Sequence, residues 1–335
     1  MRSFKLLAVV VLTVGLMMFT PAMAVKGSYP GRNGKIAFSA PDPEGGDYEI
    51  FVMNEDGGNI QQLTKNDLIS DDGPCWSPDG RKIAFSSDGV IYVMNADGTG
   101  LRQLTTPPTS YYDYSPAWAP DGTRISFMRY PKGPGANIFV IGADAKGIGT
   151  ILISDGVSSS WSPDGSKIVY RKQFEDNIWV ADAGSGADLL QLTSTGSDYD
   201  PCWSPDGSKI VYVSGQPGVE QIWVMDANGN NKHSTGVIGG SPNWSPDGAK
   251  IAYDVVSGSI WLMNADGSNP QDLTPTLRDA DDPDFQSLPL MEAPVGGFVE
   301  PVNKAAVFAP YLALFGLVAV VAIVVVAPWK KPQTN

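Results

Sequence analysis

One pentapeptide governs what this chain can become. Trp-Ser-Pro-Asp-Gly begins at Trp76, Trp161, Trp203 and Trp244, and Trp118-Ala119-Pro120-Asp121-Gly122 is a fifth copy with one change. Successive copies stand 42, 43, 42 and 41 residues apart. A repeat of 40–45 residues is the length of one four-stranded blade of a β-propeller. Each copy carries the same grammar. The segment ending in Trp supplies an innermost strand, Asp-Gly turns the chain, and an alternating second strand follows, as in Lys82-Ile83-Ala84-Phe85 or Lys209-Ile210-Val211-Tyr212. A third strand (Ile91-Tyr92-Val93-Met94, Ile222-Trp223-Val224-Met225) leads through a tight turn such as Asn95-Ala96-Asp97-Gly98 to an outer strand closing on Leu-Thr. β-branched and aromatic runs bounded by Asp-Gly turns are the signature of hairpin-connected strands.

The ends of the repeat region count the blades. Before the first Trp copy, Lys35–Phe38, Ile50–Met53 and Leu63-Thr64 form three strands with no inner partner. After the last, Asp282-Pro283-Asp284-Phe285 lies 41 residues beyond Trp244 and aligns Phe285 with the motif tryptophans. The fold class expected is therefore all-β: a six-bladed β-propeller with four-stranded blades, closed by the C-terminal segment, which joins the N-terminal blade. Closure removes the two unpaired sheet edges that an open ring would expose. Trp76, Trp118, Trp161, Trp203, Trp244 and Phe285 are the structural repeat, expected in the core between blades together with Trp179, Trp223 and Trp261.

The flanks read differently. Arg2 and Lys5 precede an apolar run, and Ala22-Met23-Ala24 follows, the layout of a signal peptide over residues 1–24. Residues 305–329 contain no charge and are long enough to cross a bilayer, with Trp329, Lys330 and Lys331 at the far flank. The expected order is signal peptide, propeller over 25–287, juxtamembrane stalk over 288–304, one transmembrane helix over 305–329 and a cytoplasmic tail over 330–335. The propeller then sits on the extracytoplasmic side of the cell membrane.

The repeat, with its Ile-Tyr-Val-Met-Asn-Ala-Asp-Gly segment and terminal Leu-Thr, resembles the TolB-type propeller repeat, also called the WD40-like PD40 repeat, over roughly Gly34 to Phe285. The resemblance implies the propeller and is specific for fold, not for function; the function expected of the chain is binding, as a surface scaffold for a protein or ligand. The family's namesake also has an N-terminal α/β domain, for which the stretch from Ala24 to Gly34 leaves no room. The layout of signal and anchor is similar to that of archaeal surface proteins with such propellers. Propellers of the prolyl oligopeptidase group resemble this repeat too, but they gate a hydrolase domain, and no G-x-S-x-G motif is present here.

Composition narrows the chemistry. With 36 acidic and 23 basic residues and a net charge of −13, the chain lacks the basic cluster that nucleic acid requires. A single histidine, His233, argues against multi-histidine metal sites, and two cysteines rule out a disulfide scaffold. His233 is expected on the surface of a loose outer strand. Cys75 and Cys202 fall in blades on opposite sides of the ring and are expected to be unpaired. The Asp of each Trp-Ser-Pro-Asp-Gly is expected to bond its own turn, and the Asn243-Trp244-Ser245 sequon to be unoccupied because Trp244 is buried.

The candidate ligand-binding residues are acidic. Asp71, Asp72, Asp113, Asp198, Asp200, Asp281 and Asp282 lie on the loops entering the inner strands, three to five positions before the motif aromatic. Equivalent positions in a ring repeat at equal radius, so these carboxylates are expected to gather at one end of the channel. Asp42, Glu44, Asp47, Glu175, Asp176, Glu220 and Tyr111, Tyr112, Tyr114, Tyr130 and Tyr199 are expected on the same face. Such a face suits a partner protein, a cationic ligand or Ca²⁺, which takes several carboxylate oxygens. The competing readings are a solubilising acidic surface and an extracytoplasmic hydrolase or lyase at the channel mouth, which needs converging carboxylates or cations. No catalytic residue is assigned.

Overall fold

The computed structural model describes residues 29–290, apart from 45, 67–68, 132–134 and 217. The expected signal peptide, most of the stalk, the transmembrane helix and the tail lie outside the described residues. Among the described residues no helix is long and apolar enough to cross a membrane.

Six four-stranded antiparallel sheets form the ring. Blade 1 pairs Asp281–Leu288 with Arg32–Pro41, Tyr48–Met53 and Gln61–Gln62, so the C-terminal strand is its innermost member. Phe285 stands opposite Ile36 as Trp76 stands opposite Ile83 in blade 2. The remaining blades run in chain order, with inner strands Asp71–Trp76, Tyr111–Trp118, Gly156–Trp161, Asp198–Trp203 and Gly240–Trp244.

The core is divided into six parcels, one at each blade–blade contact. Between blades 1 and 2, for example, Ala37, Ile50 and Val52 meet Trp76, Ile83, Phe85 and Met94. The five motif tryptophans and Phe285 are at most 4% exposed. Trp179, Trp223 and Trp261 depart from expectation. They are only half-buried, packing one side against these parcels, because third-strand side chains near the blade edge keep one face toward solvent.

The turns behave as the sequence implies. In blade 2 Ser77 Oγ donates to Asp79 Oδ1 at 2.7 Å, the same oxygen accepts from the Arg81 N–H, and Gly80 adopts φ +67°. Glycine takes that left-handed conformation at no steric cost. Asp97 and Asp266 cap the later turns in the same way. His233 is exposed at the start of blade 5's outer strand, and neither Cys75 nor Cys202 forms a disulfide. Asn243 Nδ2 is engaged with Asp284 Oδ1 at 2.8 Å beside the buried Trp244.

Candidate functional site

Every inner strand carries a β-bulge just before its motif aromatic. The residue three places before the aromatic (Gly73, Ser115, Ser158, Asp200, Ser241, Asp282) has φ between +43° and +60° in all six blades. A bulge re-aims side chains. Here it turns these six residues, and those one place before the aromatic (Cys75, Ala117, Ser160, Cys202, Asn243, Asp284), onto the central channel. The result is a cavity of about 230 Å³ with no lysine or arginine in its wall.

Hydrogen bonds around the channel run from blade to blade. Ser158 Oγ donates to Asp200 Oδ1 at 3.0 Å, and Ser241 Oγ donates to Asp282 Oδ1 at 2.9 Å. Asp284 ties three blades together, accepting from Asn243 Nδ2 of blade 6 and from the Trp76 N–H of blade 2 at 2.6 Å. Tyr29 lines the same cavity at the end bearing the Trp-Ser-Pro-Asp-Gly turns, its hydroxyl donating to the Trp118 carbonyl at 3.0 Å.

The channel acids hold their protons tightly. Burial is the first cause for Asp200, Asp254, Asp281, Asp282 and Asp284, all shifted upward. Burial and the neighbouring charges of Asp282, Asp254 and Asp72 push Asp281 up to about 8. Asp282 is pushed up to about 7 by burial and by Asp254, Asp200 and Asp72, and Asp284 to about 7 by burial. Asp72 is also raised, by burial and then by Asp71.

The seven candidate aspartates therefore do not gather as expected. Asp200 and Asp282 line the channel, and Asp72 and Asp281 stand beside them at its mouth, close enough to interact through their charges. Asp71, Asp113 and Asp198, five places before the aromatic, lie on the other side of the bulge and point into the blades, at most 1% exposed. Asp113 is held by Arg129, with Nε to Oδ1 at 2.6 Å and Nη2 to Oδ2 at 2.8 Å. Asp71 accepts from Asn66 Nδ2 and lies hydrogen-bonded to Glu49, while Asp198 accepts from Thr195 Oγ1 at 2.5 Å. Equal radius failed as a guide because a bulge separates neighbouring positions onto opposite faces.

Sequence reasoning passed over Tyr29, Asp254 and Asp284. Asp284 and Asn243 were discoverable as the residues preceding Phe285 and Trp244; Tyr29 lies outside the repeat and carries no pattern. The entry loops and the second-to-third strand turns do share one face. The Asp113 N–H donates to the Gly89 carbonyl and the Asp198 N–H to the Asp176 carbonyl, joining entry loops to the second-to-third strand turns of the preceding blades. Among the expected tyrosines, Tyr112, Tyr114 and Tyr130 pack on one another with centroids 6.2 and 6.4 Å apart. Among the described residues no three His, Cys, Asp or Glu side chains converge closely enough to hold a metal ion, so the expectation of Ca²⁺ gains no cluster to rest on.

Solved structures share this architecture. TolB from Acinetobacter baumannii is 21% identical, with a TM-score of 0.64 over 76% of this chain and 67% of that one. A putative TolB from Agrobacterium tumefaciens is 20% identical, with a TM-score of 0.58 over 78% of this chain and 99% of that one. An oligogalacturonate lyase in complex with manganese is 14% identical, with a TM-score of 0.54 over 74% and 76%. At these identities the likeness is one of fold. No curated protein matches the sequence. The TolB beta propeller domain model, PD40, matches residues 91–286, more than half of the chain, and this protein belongs to that family.

Proposed function

We propose that this protein is an interaction scaffold, held at the outer side of the cell membrane by its C-terminal apolar segment, that docks a partner polypeptide on the loop face around the channel mouth. The observation that carries this is the composition of that face. Asp72, Asp254, Asp281 and Asp282 crowd together at the mouth, and no lysine or arginine lines the channel. Around them Phe174, Val219 and Val256, on the second-to-third strand turns of blades 4, 5 and 6, are 68%, 60% and 87% exposed. Apolar tips beside acidic groups that have no cation in the channel wall suit a partner surface with a basic centre, which would draw off their protons, and an apolar margin. Both ends of the described chain, Tyr29 and Leu290, lie on the opposite face, that of the Trp-Ser-Pro-Asp-Gly turns.

The TolB family supports the scaffold reading. The lyase reading draws only on a likeness of fold. Crosslinking on intact cells expressing the full chain tests the proposal. A crosslinked partner should be lost in an Asp72→Asn, Asp281→Asn variant and in Val256→Asp, and kept in Asp97→Asn on the opposite face. Equal capture by all variants refutes the docking face. Protease added outside intact cells should reach the propeller and spare the residues after Trp329; a fully protected propeller refutes the orientation.

A further inference from the structure

The ring contains its own answer to what a carboxylate five places before the aromatic takes as a partner. In blade 3, Asp113 stands opposite Arg129 in the strand register and holds its guanidinium by two hydrogen bonds. The guanidinium carbon lies 5.3 Å from the Phe127 ring centroid and 4.5 Å from that of Phe139. These rings are a stacked cross-strand pair, 5.8 Å apart and inclined by 27°. Blade 2 repeats every part of this except the arginine. Asp71 stands opposite Ser87, and Phe85 and Tyr92 form the matching cross-strand pair, 6.0 Å apart and inclined by 25°. In place of the missing side chain there is a cavity of about 310 Å³, lined by Asp71, Ser87, Phe85, Tyr92, Asn66 and Met94 among others.

The polar groups at this cavity lack the partners that blade 3 supplies. Asp71 is 1% exposed; its carboxyl is bonded by Ser87, Thr64, Glu49 and Asn66, none of them a cation, while its Oδ1 and Asn66 Oδ1 have no partner within hydrogen-bond distance. Glu49, fully buried on blade 1, adds a second carboxyl against Asp71, where the equivalent register position of blade 2 holds Val90. Thr64 Oγ1 and the Asn66 N–H donate to Glu49, but neither is a cation. Lys65 at the lip is turned to Glu44, 2.6 Å away. Blades 1 and 2 have outer strands of only two residues, which leaves this cleft uncovered at its flank.

We propose that the cleft between blades 1 and 2 is a receptor for a guanidinium group, the arginine side chain of a partner polypeptide, held by Asp71 against Phe85 and Tyr92 as Arg129 is held in blade 3. Guanidinium is selected over ammonium because it is planar, forks onto a carboxylate and stacks on aromatic rings. The inference takes from the scaffold reading only the source of the arginine; the site stands apart from the channel mouth.

Titration of the full chain with N-acetyl-arginine amide, followed by the ring signals of Tyr92 and by calorimetry, tests it. Saturable binding with a Kd on the order of 1 mM is expected, with the corresponding lysine amide about tenfold weaker or worse. Ser87→Arg should fill the cleft from within, raising Tm and abolishing probe binding. Asp71→Asn should keep the fold and lose the preference for arginine. Absence of binding, equal binding to the Ser87→Arg protein, or a lowered Tm in that variant overturns the site. Ethylguanidinium binding as tightly as an arginine within an extended peptide overturns the polypeptide source. None of these outcomes touches the channel-mouth variants, so the two readings fail separately.

Discussion

Thr64, Thr105, Thr193 and Thr274 do the same thing in four blades: each hydroxyl oxygen accepts the N–H of an isoleucine that begins the third strand (Ile50, Ile91, Ile178 and Ile260), at 2.8–2.9 Å. These threonines are at most 9% exposed, so water cannot replace them. Thr193→Val keeps the shape and orphans the Ile178 N–H. It should cost about 1–3 kcal/mol in urea denaturation, and a cost near zero would mean that a second acceptor serves that N–H. The terminal Leu-Thr is plain in the sequence as a recurring string, but its use is not, since the partner lies about fourteen residues upstream. Blade 5, which lacks the string, shows the consequence: Thr235 Oγ1 donates to the Ile222 carbonyl instead. Asp113 teaches the converse lesson. Its acidic type suggested a surface ligand, whereas Arg129, sixteen residues later, makes it a buried ion pair.

At the scale of the element, the inner strand combines what the sequence shows with what it conceals. Its position, its aromatic and the supply of blade 1's copy from the far end of the chain all follow from the spacing. The bulge does not, because it depends on a local change of φ at residues of three types, Gly, Ser and Asp, with no shared motif between them. That bulge decides which aspartates reach the channel, so the candidate site was legible only in part. Closure by the Asp281–Leu288 strand makes a sharp test. Phe285 is 4% exposed in the parcel joining blades 6 and 1. Phe285→Ala should cost about 3–5 kcal/mol, as much as the loss of a motif tryptophan, and unfolding should remain a single transition. Loss of blade 1 alone at low denaturant would show that the ring tolerates being opened. Alkylation of the unreduced, denatured protein should modify both Cys75 and Cys202; an intramolecular crosslink contradicts their placement in opposite blades.

For the whole molecule, the buried acids set the response to pH. Asp200, Asp254, Asp281, Asp282 and Asp284 of the channel and its mouth, and Glu49 and Asp71 of the blade 1–2 cleft, all bind protons more tightly in the fold than in the unfolded chain. Their contribution to stability is complete below the unfolded pKa, about 4, and is lost as pH rises through the folded values, which reach about 7 for Glu49, Asp282 and Asp284 and about 8 for Asp281. The turn aspartates act in the other sense. Hydrogen bonds from neighbouring hydroxyl and N–H groups hold Asp97, Asp121, Asp164, Asp182, Asp206 and Asp266 below their ordinary value, and their contribution is lost only as pH falls below about 4. The two sets together give a stability maximum at about pH 5, with Tm falling steadily toward pH 8. Scanning calorimetry across that range checks the slope. Asp281→Asn with Asp282→Asn should flatten the alkaline limb and leave the acid limb in place, because the turn aspartates are untouched. A Tm that rises from pH 5 to pH 8 would require the mouth carboxylates to be neutralised by a bound cation or partner. That outcome would put the compensation of their charge, rather than their protonation, at the centre of how the ring is held closed.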